Sequence, residues 1–577
     1  MMWVALTLAS TTTAFAQFSL LVTAVVERPL RPRAPSAAQI RAATPAERAV
    51  APSDGYMFGD LPVAGPLAEQ LRGSGFEKPT PIQAAAMMPI VRGQHALVHA
   101  ETGSGKTLAY LLPLLSRCHA SKPSQVLVVV PSRELAVQIG AVVERLWPWH
   151  GTQRAFLLTE GAPAAELHAR LERAACPVIV ATPKPLLAVV THLAGTPKLY
   201  SRRALEVAGG PLARLAAGLR AVVLDEADAL LLSREMAMSG GPQRKSYKQL
   251  AGRGGGDVKA PERFTRPAAR ALQGLLTARR TSFGGGGGGG AVGGRRRGPK
   301  ALQVVACSAT VTYRLQQEVE RLVPPDASKK GKPGALALLA PHAAGKEGDA
   351  RKRRTGERGR AAVGVPRAIQ HCWLPVGDSS YLDGGDRKPA AIAAAVRALR
   401  PRASLLFLPD DAPFRATLAA LRAEDGVDAH AVHELMGLDA DAHSSGGYDA
   451  LEAALRRDGG GGAAGEEAAA EGGEEEGDSD SLLLVSTWGA SRGLDLGAVD
   501  VVLLYELPRS ADEYLHLAGR TGRNGRAGRV VSFLTREEEA QLGVITRQLG
   551  VSIRPDAELA LKLMEEREGG GEGEGEV

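Results

Sequence analysis

Between Leu97 and Thr107 the chain reads LVHAETGSGKT, and these residue types at this spacing suit a defined chemistry. Leu97 and Val98 close a short apolar run of buried-strand character, and the apolar LAYLLPLL after Thr107 has the character of a helix start. Glycines between a strand and a helix let the backbone turn tightly, so successive N–H groups point inward at an anion. The helix N-terminus adds its positive dipole end, Lys106 adds a point charge, and the Thr107 hydroxyl is placed to hold Mg²⁺. Ala100 stands where phosphate loops usually carry their first glycine, and Glu101, Thr102, Gly103, Ser104 and Gly105 complete the loop. A Gly/Ser stretch alone reads as a turn. The attached Lys-Thr pair, with a strand before it and a helix after it, makes this one a polyphosphate cradle.

Such a cradle needs a sheet to hold it. From about residue 56 to 323, apolar runs alternate with helical patterns: VLVVV at 126–130, VIVAT at 178–182, AVVLD at 221–225 and QVVAC at 303–307. Continuous apolar strands separated by helices imply a parallel sheet covered on both faces. A second series runs from about 366 to 550, with SLLFL at 404–408, LLLVST at 482–487 and DVVLLY at 500–505. The expected fold is α/β, with two parallel-sheet units in tandem. Asp225-Glu226-Ala227-Asp228 follows the strand AVVL. Carboxylates at the C-terminal end of a strand, in the same unit as a phosphate loop, are placed to hold Mg²⁺ and orient an attacking water.

The 577 residues leave room for about two to four domains. Of these residues 44% are hydrophobic, a globular proportion, while the 68 glycines gather in a few runs. A net charge of +7 permits nucleic-acid binding without proving it. Cys118, Cys176, Cys307 and Cys372 lie far apart with no Cys-x-x-Cys spacing, which argues against a zinc site or a disulfide framework and for a reducing compartment.

Residues 1–55 read as a targeting and disordered segment. Met1–Val26 carries no charge and includes the small-residue pattern Ala14-Phe15-Ala16, while the following Arg-, Ala- and Pro-rich stretch is poor in acids. A signal-like part followed by a transit-like part is similar to a two-part plastid address; a mitochondrial presequence or a mis-assigned start is the alternative. Its Ser and Thr content argues against a stable membrane anchor. Residues 324–365, rich in Lys, Arg, Gly and Pro, read as a linker. Two inserts, 233–300 with its Gly and Arg runs and 458–480 with Gly and Glu, are too biased to bury a core and are expected as mobile loops. The basic one suits nucleic acid or merely solvent. Residues 551–577 read as an acidic Gly/Glu tail.

PTPIQ (79–83), PSRELA (131–136), the DEAD string, SAT (308–310), SRGLD (491–495) and GRTGR (519–523) occur in order across both units. This set resembles the DEAD-box ATP-dependent RNA helicases of superfamily 2, over about residues 56–550. The resemblance implies two tandem RecA-like domains with a nucleotide and RNA cleft between them, and ATP and Mg²⁺ as cofactors. By the same resemblance Gln83 reads the adenine edge and Phe58 stacks on the base; by themselves they would be a helix-start residue and a core aromatic. Lys106 grips the β- and γ-phosphates, Thr107 and Asp225 hold Mg²⁺, and Glu226 positions or deprotonates the water. Arg520 and Arg523 resemble arginine fingers supplied across the cleft, and Asp495 joins the nucleotide side. Ser308 and Thr310 couple nucleotide state to RNA, while Ser132, Arg133, Thr182, Thr487 and Arg492 match positions that hold the sugar-phosphate backbone without reading sequence.

Several positions depart from the family pattern. Its TPGR is Thr182-Pro183-Lys184-Pro185 here, the first arginine of its HRIGRTGR is Leu517, and the acid after Thr487 is Trp488. No clear Gln-x-x-Arg element follows His433. The implied function is RNA-stimulated ATP hydrolysis coupled to local duplex unwinding or RNA–protein remodelling, by a monomer that takes single-stranded or short duplex RNA, with ribosome-assembly factors as suggested partners. The alternative is a non-unwinding RNA-binding clamp on the same fold. A DNA translocase is a third reading, which the adenine-reading Gln motif together with DEAD disfavours.

Overall fold

The computed structural model of the chain describes residues 57–63, 65–101, 103–119, 122–147, 154–159, 161–196, 199, 210–232, 266–284, 302–324, 335–341, 368–376, 387–438, 446–457, 481–490, 492, 496, 499–522 and 526–569. Strands β1 (Met57–Phe58) and β2 (Leu61–Pro62) form a small antiparallel hairpin. A first sheet contains β3 (His95–His99), β4 (Val126–Val129), β5 (Ala155–Leu158), β6 (Val178–Ala181), β7 (Ala221–Leu224), β8 (Gln303–Ser308) and β9 (Leu336–Leu339), in the order β5-β6-β4-β7-β8-β3-β9. A second contains β10 (Ile369–Pro375), β11 (Ala403–Leu408), β12 (Val427–Ala431), β13 (Ser481–Thr487), β14 (Val501–Leu504), β15 (Gly528–Leu534) and β16 (Arg554–Pro555), in the order β12-β13-β11-β14-β15-β10-β16. All pairings in both large sheets are parallel. Counted within its own sheet, each runs 3-4-2-5-6-1-7. These are the tandem RecA-like domains the motifs imply.

The residue types explain the layering. Along β4, Val126 and Val128 join one hydrophobic core while Leu127 and Val129 join another on the opposite face. Along β13, Leu482 and Leu484 face one core and Leu483 and Val485 a second. Side chains alternate across a strand, so a run that is apolar at every position demands helices on both faces. The first of these cores continues from one domain into the other, where helix Arg133–Leu146 meets helix Gly446–Arg457.

Three boundaries differ from those read off composition. The span taken as the linker contains β9, whose LALL pairs with β3 and closes the edge of the first sheet; its Lys/Gly surroundings hide it in a compositional average. The basic insert contains the helix Pro267–Gly284, which buries Ala268, Ala271, Leu272, Leu275 and Leu276 against the first sheet's core. That part of the insert is core. Beyond residue 550, β16 pairs with β10, and helix Ala557–Gly569 buries Leu559 in the second domain. The targeting segment at 1–55, the flanks of the basic insert at 233–265 and 285–300, the acidic insert at 458–480, linker residues 342–365 and the end of the tail at 570–577 lie outside the described residues. Among the described residues, no helix is long and apolar enough to cross a membrane.

Candidate functional site

The phosphate loop leaves β3 at His99, and helix Lys106–Leu115 begins directly after Gly105. Gly103 and Gly105 have φ of 77° and 89°, left-handed values at which a side chain is strained. Gly105 is fixed for a second reason: a Cβ there would collide with Gln83 Nε2. The Gln83 amide donates to the Gly105 carbonyl at 3.2 Å and accepts from the Thr80 N–H at 2.9 Å, while the Thr80 hydroxyl donates to the Ser104 carbonyl at 2.8 Å. The PTPIQ segment is thereby tied to the loop. A carboxamide offers two donors and two acceptor lone pairs, so one of each remains for the edge of a base.

Lys106, largely buried, folds back on the loop. Its Nζ donates to the carbonyls of Ala100 at 2.9 Å and Glu101 at 3.3 Å and stands 3.9 Å from Glu226 Oε1. Asp225 and Glu226 follow β7 and are buried. Burial, and then the neighbouring Glu226 charge, push the Asp225 carboxyl up to about 6. Glu226 adopts a left-handed φ of 51°, which a non-glycine residue holds only under constraint, and its Oε2 is buried with no hydrogen-bond partner among the described residues. A buried lysine, two buried acids and an orphaned carboxylate oxygen fit a polyphosphate with a divalent cation, the groups that would satisfy them.

Asp228 joins the domains. Its Oδ1 accepts from the Ser308 hydroxyl at 2.8 Å and its Oδ2 from the Thr310 hydroxyl at 3.3 Å, while His516 Nε2 and Arg492 Nη1 of the second domain lie 3.7 and 3.8 Å from Oδ2. Burial opposes the charge on Asp228, but His516, Arg492 and the Ser308 hydroxyl outweigh it and hold the carboxyl well below its usual range. Arg520 is buried just beyond the second-domain helix Ala511–Ala518 that carries His516, its Nε donating to the His516 carbonyl at 2.9 Å. The following turn is pinned: the Thr521 hydroxyl donates to the Val499 and Asp500 carbonyls, and a side chain on Gly522 would collide with Ile369.

The positions expected to face RNA are spread over both domains. Ser132 caps helix Arg133–Leu146 by accepting from the Leu135 N–H at 3.3 Å, and Arg133 Nη2 donates to the Leu438 carbonyl across the domain boundary at 2.7 Å. Thr182 precedes helix Pro183–Ala194, and its hydroxyl is buried without a hydrogen-bond partner among the described residues. Thr487 closes β13 and accepts from the Ala490 N–H at 3.3 Å. Next to it, Asp410 Oδ1 takes the Gly489 N–H at 2.7 Å. Trp488 is buried, as is Leu517. Thr102, Asp495 and Arg523 lie outside the described residues.

Two domain models match this chain: DEAD/DEAH box helicase over residues 80–246 and helicase conserved C-terminal domain over residues 466–525. These matches, in order along the chain, support a helicase of the DEAD-box type. Among curated DEAD-box proteins the chain is 26% identical over 523 residues to DEAD-box ATP-dependent RNA helicase 28 of Oryza sativa subsp. japonica, a match covering 89% of this chain and 48% of that one. It is 33% identical over 177 residues to DEAD-box ATP-dependent RNA helicase 26 of the same organism, covering 30% of each. The chain therefore spans at most about half the length of these relatives. Among solved structures, Mss116p bound to ssRNA and AMP-PNP has a TM-score of 0.53 at 16% identity, covering 87% of this chain and 80% of that one. S. cerevisiae Dbp5 bound to RNA and ADP BeF3 has a TM-score of 0.52 at 18% identity, covering 88% and 97%. At these identities the likeness is one of fold.

The structure separates the two aromatics read or placed near the Gln83 segment. Phe58, expected to stack on a base, is 1% exposed and belongs to the first core, whereas Phe76, in the loop seven residues before Gln83, is 40% exposed. Asp228 and His516 were visible only as letters of longer motifs, and Tyr110 only as part of an apolar run. Tyr110 is buried, and its hydroxyl donates to Asp225 Oδ2 at 2.8 Å.

Proposed function

We propose that this chain is an ATP-dependent RNA helicase that couples ATP hydrolysis to closure of its two domains on an RNA backbone, with local strand separation as the product of that closure. One observation carries the reading: Asp228, three residues beyond the acid beside the phosphate loop, is held at once by Ser308 and Thr310 of its own domain and by Arg492 and His516 of the other. A single, largely covered carboxylate thus joins the hydrolytic end of one domain to the RNA-facing motifs of the other.

In this reading Gln83 offers its remaining donor and acceptor to the adenine edge, and Phe76 gives the base an open ring face. Lys106 exchanges the loop carbonyls for phosphate oxygens, a charge-assisted contact stronger than the neutral ones it leaves. Thr107 and Asp225 would hold Mg²⁺, which when bound neutralises charge on the phosphates. The orphaned Glu226 oxygen accepts a proton from the attacking water or orients it. Arg520, with Arg523, supplies a planar guanidinium to the γ-phosphate from the second domain, so hydrolysis waits for closure.

RNA lies against Ser132, Arg133, Thr182, Thr487 and Arg492. Pro183 and Pro185 remove two N–H donors from the first turn of the helix after Thr182, which weakens the grip there. Structural relatives bound to ssRNA or RNA support RNA as the partner. The two-part N-terminal composition supports a plastid destination.

The test is steady-state ATP hydrolysis by the full chain with and without single-stranded and duplex RNA, beside Glu226→Gln. RNA stimulation abolished by that change, together with release of a short strand, supports the reading. Turnover that RNA does not stimulate removes the helicase assignment and leaves an RNA-binding clamp.

A further inference from the structure

We propose that Tyr110 is a positioning residue for the divalent cation, its hydroxyl fixing the orientation of the Asp225 carboxylate before the cation arrives. The inference rests on the reading of Asp225 as a carboxylate that holds the nucleotide-bound cation.

Tyr110 lies one helical turn after Lys106 and is completely buried. Its position on the helix faces the core, where a phenylalanine would fill the same volume. Burying a hydroxyl costs free energy unless it finds a partner. Here the partner is specific: Oδ2 of Asp225, at 2.8 Å, at the end of β7. The other oxygen, Oδ1, accepts the Glu226 N–H at 3.1 Å. The carboxylate is therefore held at both oxygens, once by its own strand end and once by the helix that grows out of the phosphate loop. One hydroxyl thus ties the helix that follows the phosphate loop to the carboxylate at the end of β7.

Each carboxylate oxygen has two lone pairs, so the two hydrogen bonds still leave one free on each. What they remove is rotation about the side-chain bond. A carboxylate that must be ordered by the cation binds it more weakly than one ordered beforehand, and groups behind a ligand commonly contribute tenfold or more in this way.

The experiment compares Tyr110→Phe, which removes one oxygen and keeps the volume, with wild type in the full chain. Mn²⁺ binding is titrated by electron paramagnetic resonance in the presence of a non-hydrolysable ATP analogue, and analogue binding is measured separately in EDTA. The expected result is an apparent Mn²⁺ Kd raised about tenfold with analogue affinity in EDTA unchanged, and kcat largely restored at high Mg²⁺. A residue that merely fills the core would move thermal stability and leave that split absent. Tyr110→Met, also apolar and of similar length, repeats the test if the phenylalanine variant folds poorly. Superimposable Mn²⁺ curves for wild type and variant overturn the proposal while the ATPase reading stands. If wild type itself shows no cation-dependent nucleotide binding, it is the underlying reading that falls.

Discussion

Asp228 and His516 come within 3.7 Å of each other although they belong to different domains, and both are largely buried. A largely buried acid held by an arginine of another domain is a latch: removing its charge strands the Arg492 guanidinium without that counter-ion. Asp228→Asn should leave nucleotide binding within about twofold but lower RNA-stimulated turnover by about 100-fold, the scale of a lost buried charge contact. Parallel measurement of ATP affinity and RNA-stimulated kcat checks this. An equal loss in both would mean that Asp228 serves the nucleotide pocket alone.

A second join lies away from the cleft. Arg145 of helix Arg133–Leu146 meets Asp449 at 2.8 Å and Glu452 at 3.1 Å on helix Gly446–Arg457, with the Tyr448 ring 6.0 Å from its guanidinium. Asp449-x-x-Glu452 occupies the region where no Gln-x-x-Arg element was found. Arg145 is 41% exposed, so the pair contributes at most about 1 kcal/mol and yields to salt. Arg145→Glu should raise the radius of gyration in small-angle scattering at low ionic strength, and the excess over wild type should vanish near ~0.5 M salt.

Gly105 is restricted both by its φ of 89° and by the amide of Gln83. Gly105→Ala should raise the KM for ATP at least about tenfold and lower the melting temperature, since strain of this kind costs about 1–3 kcal/mol. Adding Gln83→Ala removes the collision but not the left-handed φ. The double variant should therefore recover part of the stability and none of the affinity, as thermal unfolding and nucleotide titration would show.

His371 of β10 is buried, with Nδ1 2.9 Å from the Tyr514 hydroxyl and Nε2 without a hydrogen-bond partner among the described residues. Burial lowers its pKa to about 4. Between that value and the ordinary 6.5 the unfolded chain binds the proton and the folded chain does not. The stability conferred by a neutral His371 is thus complete above about pH 6.5 and is lost as pH falls toward 4. His371→Gln should flatten the fall in melting temperature between pH 6.5 and 4.5 relative to wild type.

The legible part of this chain was its local chemistry. The strands around VLVV and AVVL, the phosphate loop and the acids after β7 announce themselves because a buried parallel strand is apolar at every position and a phosphate cradle needs Gly, Lys and Thr at fixed offsets. The missed parts depend on distance along the chain or on biased neighbours. The helical PAARALQGLL was masked by glycine and arginine runs on either side, and β9 and β16 are short strands that gain their identity only by pairing with β3 and β10. No pattern in LAYLLPLL distinguishes a tyrosine that packs from one that aims at Asp225, 115 residues away. Phe58 and Phe76 are separated only by which of them the fold covers.

The helix Pro267–Gly284 has a consequence for chain entropy. β7 and β8 are neighbours in the sheet, yet the basic insert at 233–300 lies between them, and forming their pairing must close that whole excursion. The helix divides it. Docked on the core by Leu272, Leu275 and Leu276, it turns one long closure into two shorter ones on either side. Closure entropy grows only logarithmically, by about 0.6 kcal/mol for each doubling of a flexible loop. A change of length between the helix and either strand therefore adds little closure entropy, provided the docked turns of the helix remain.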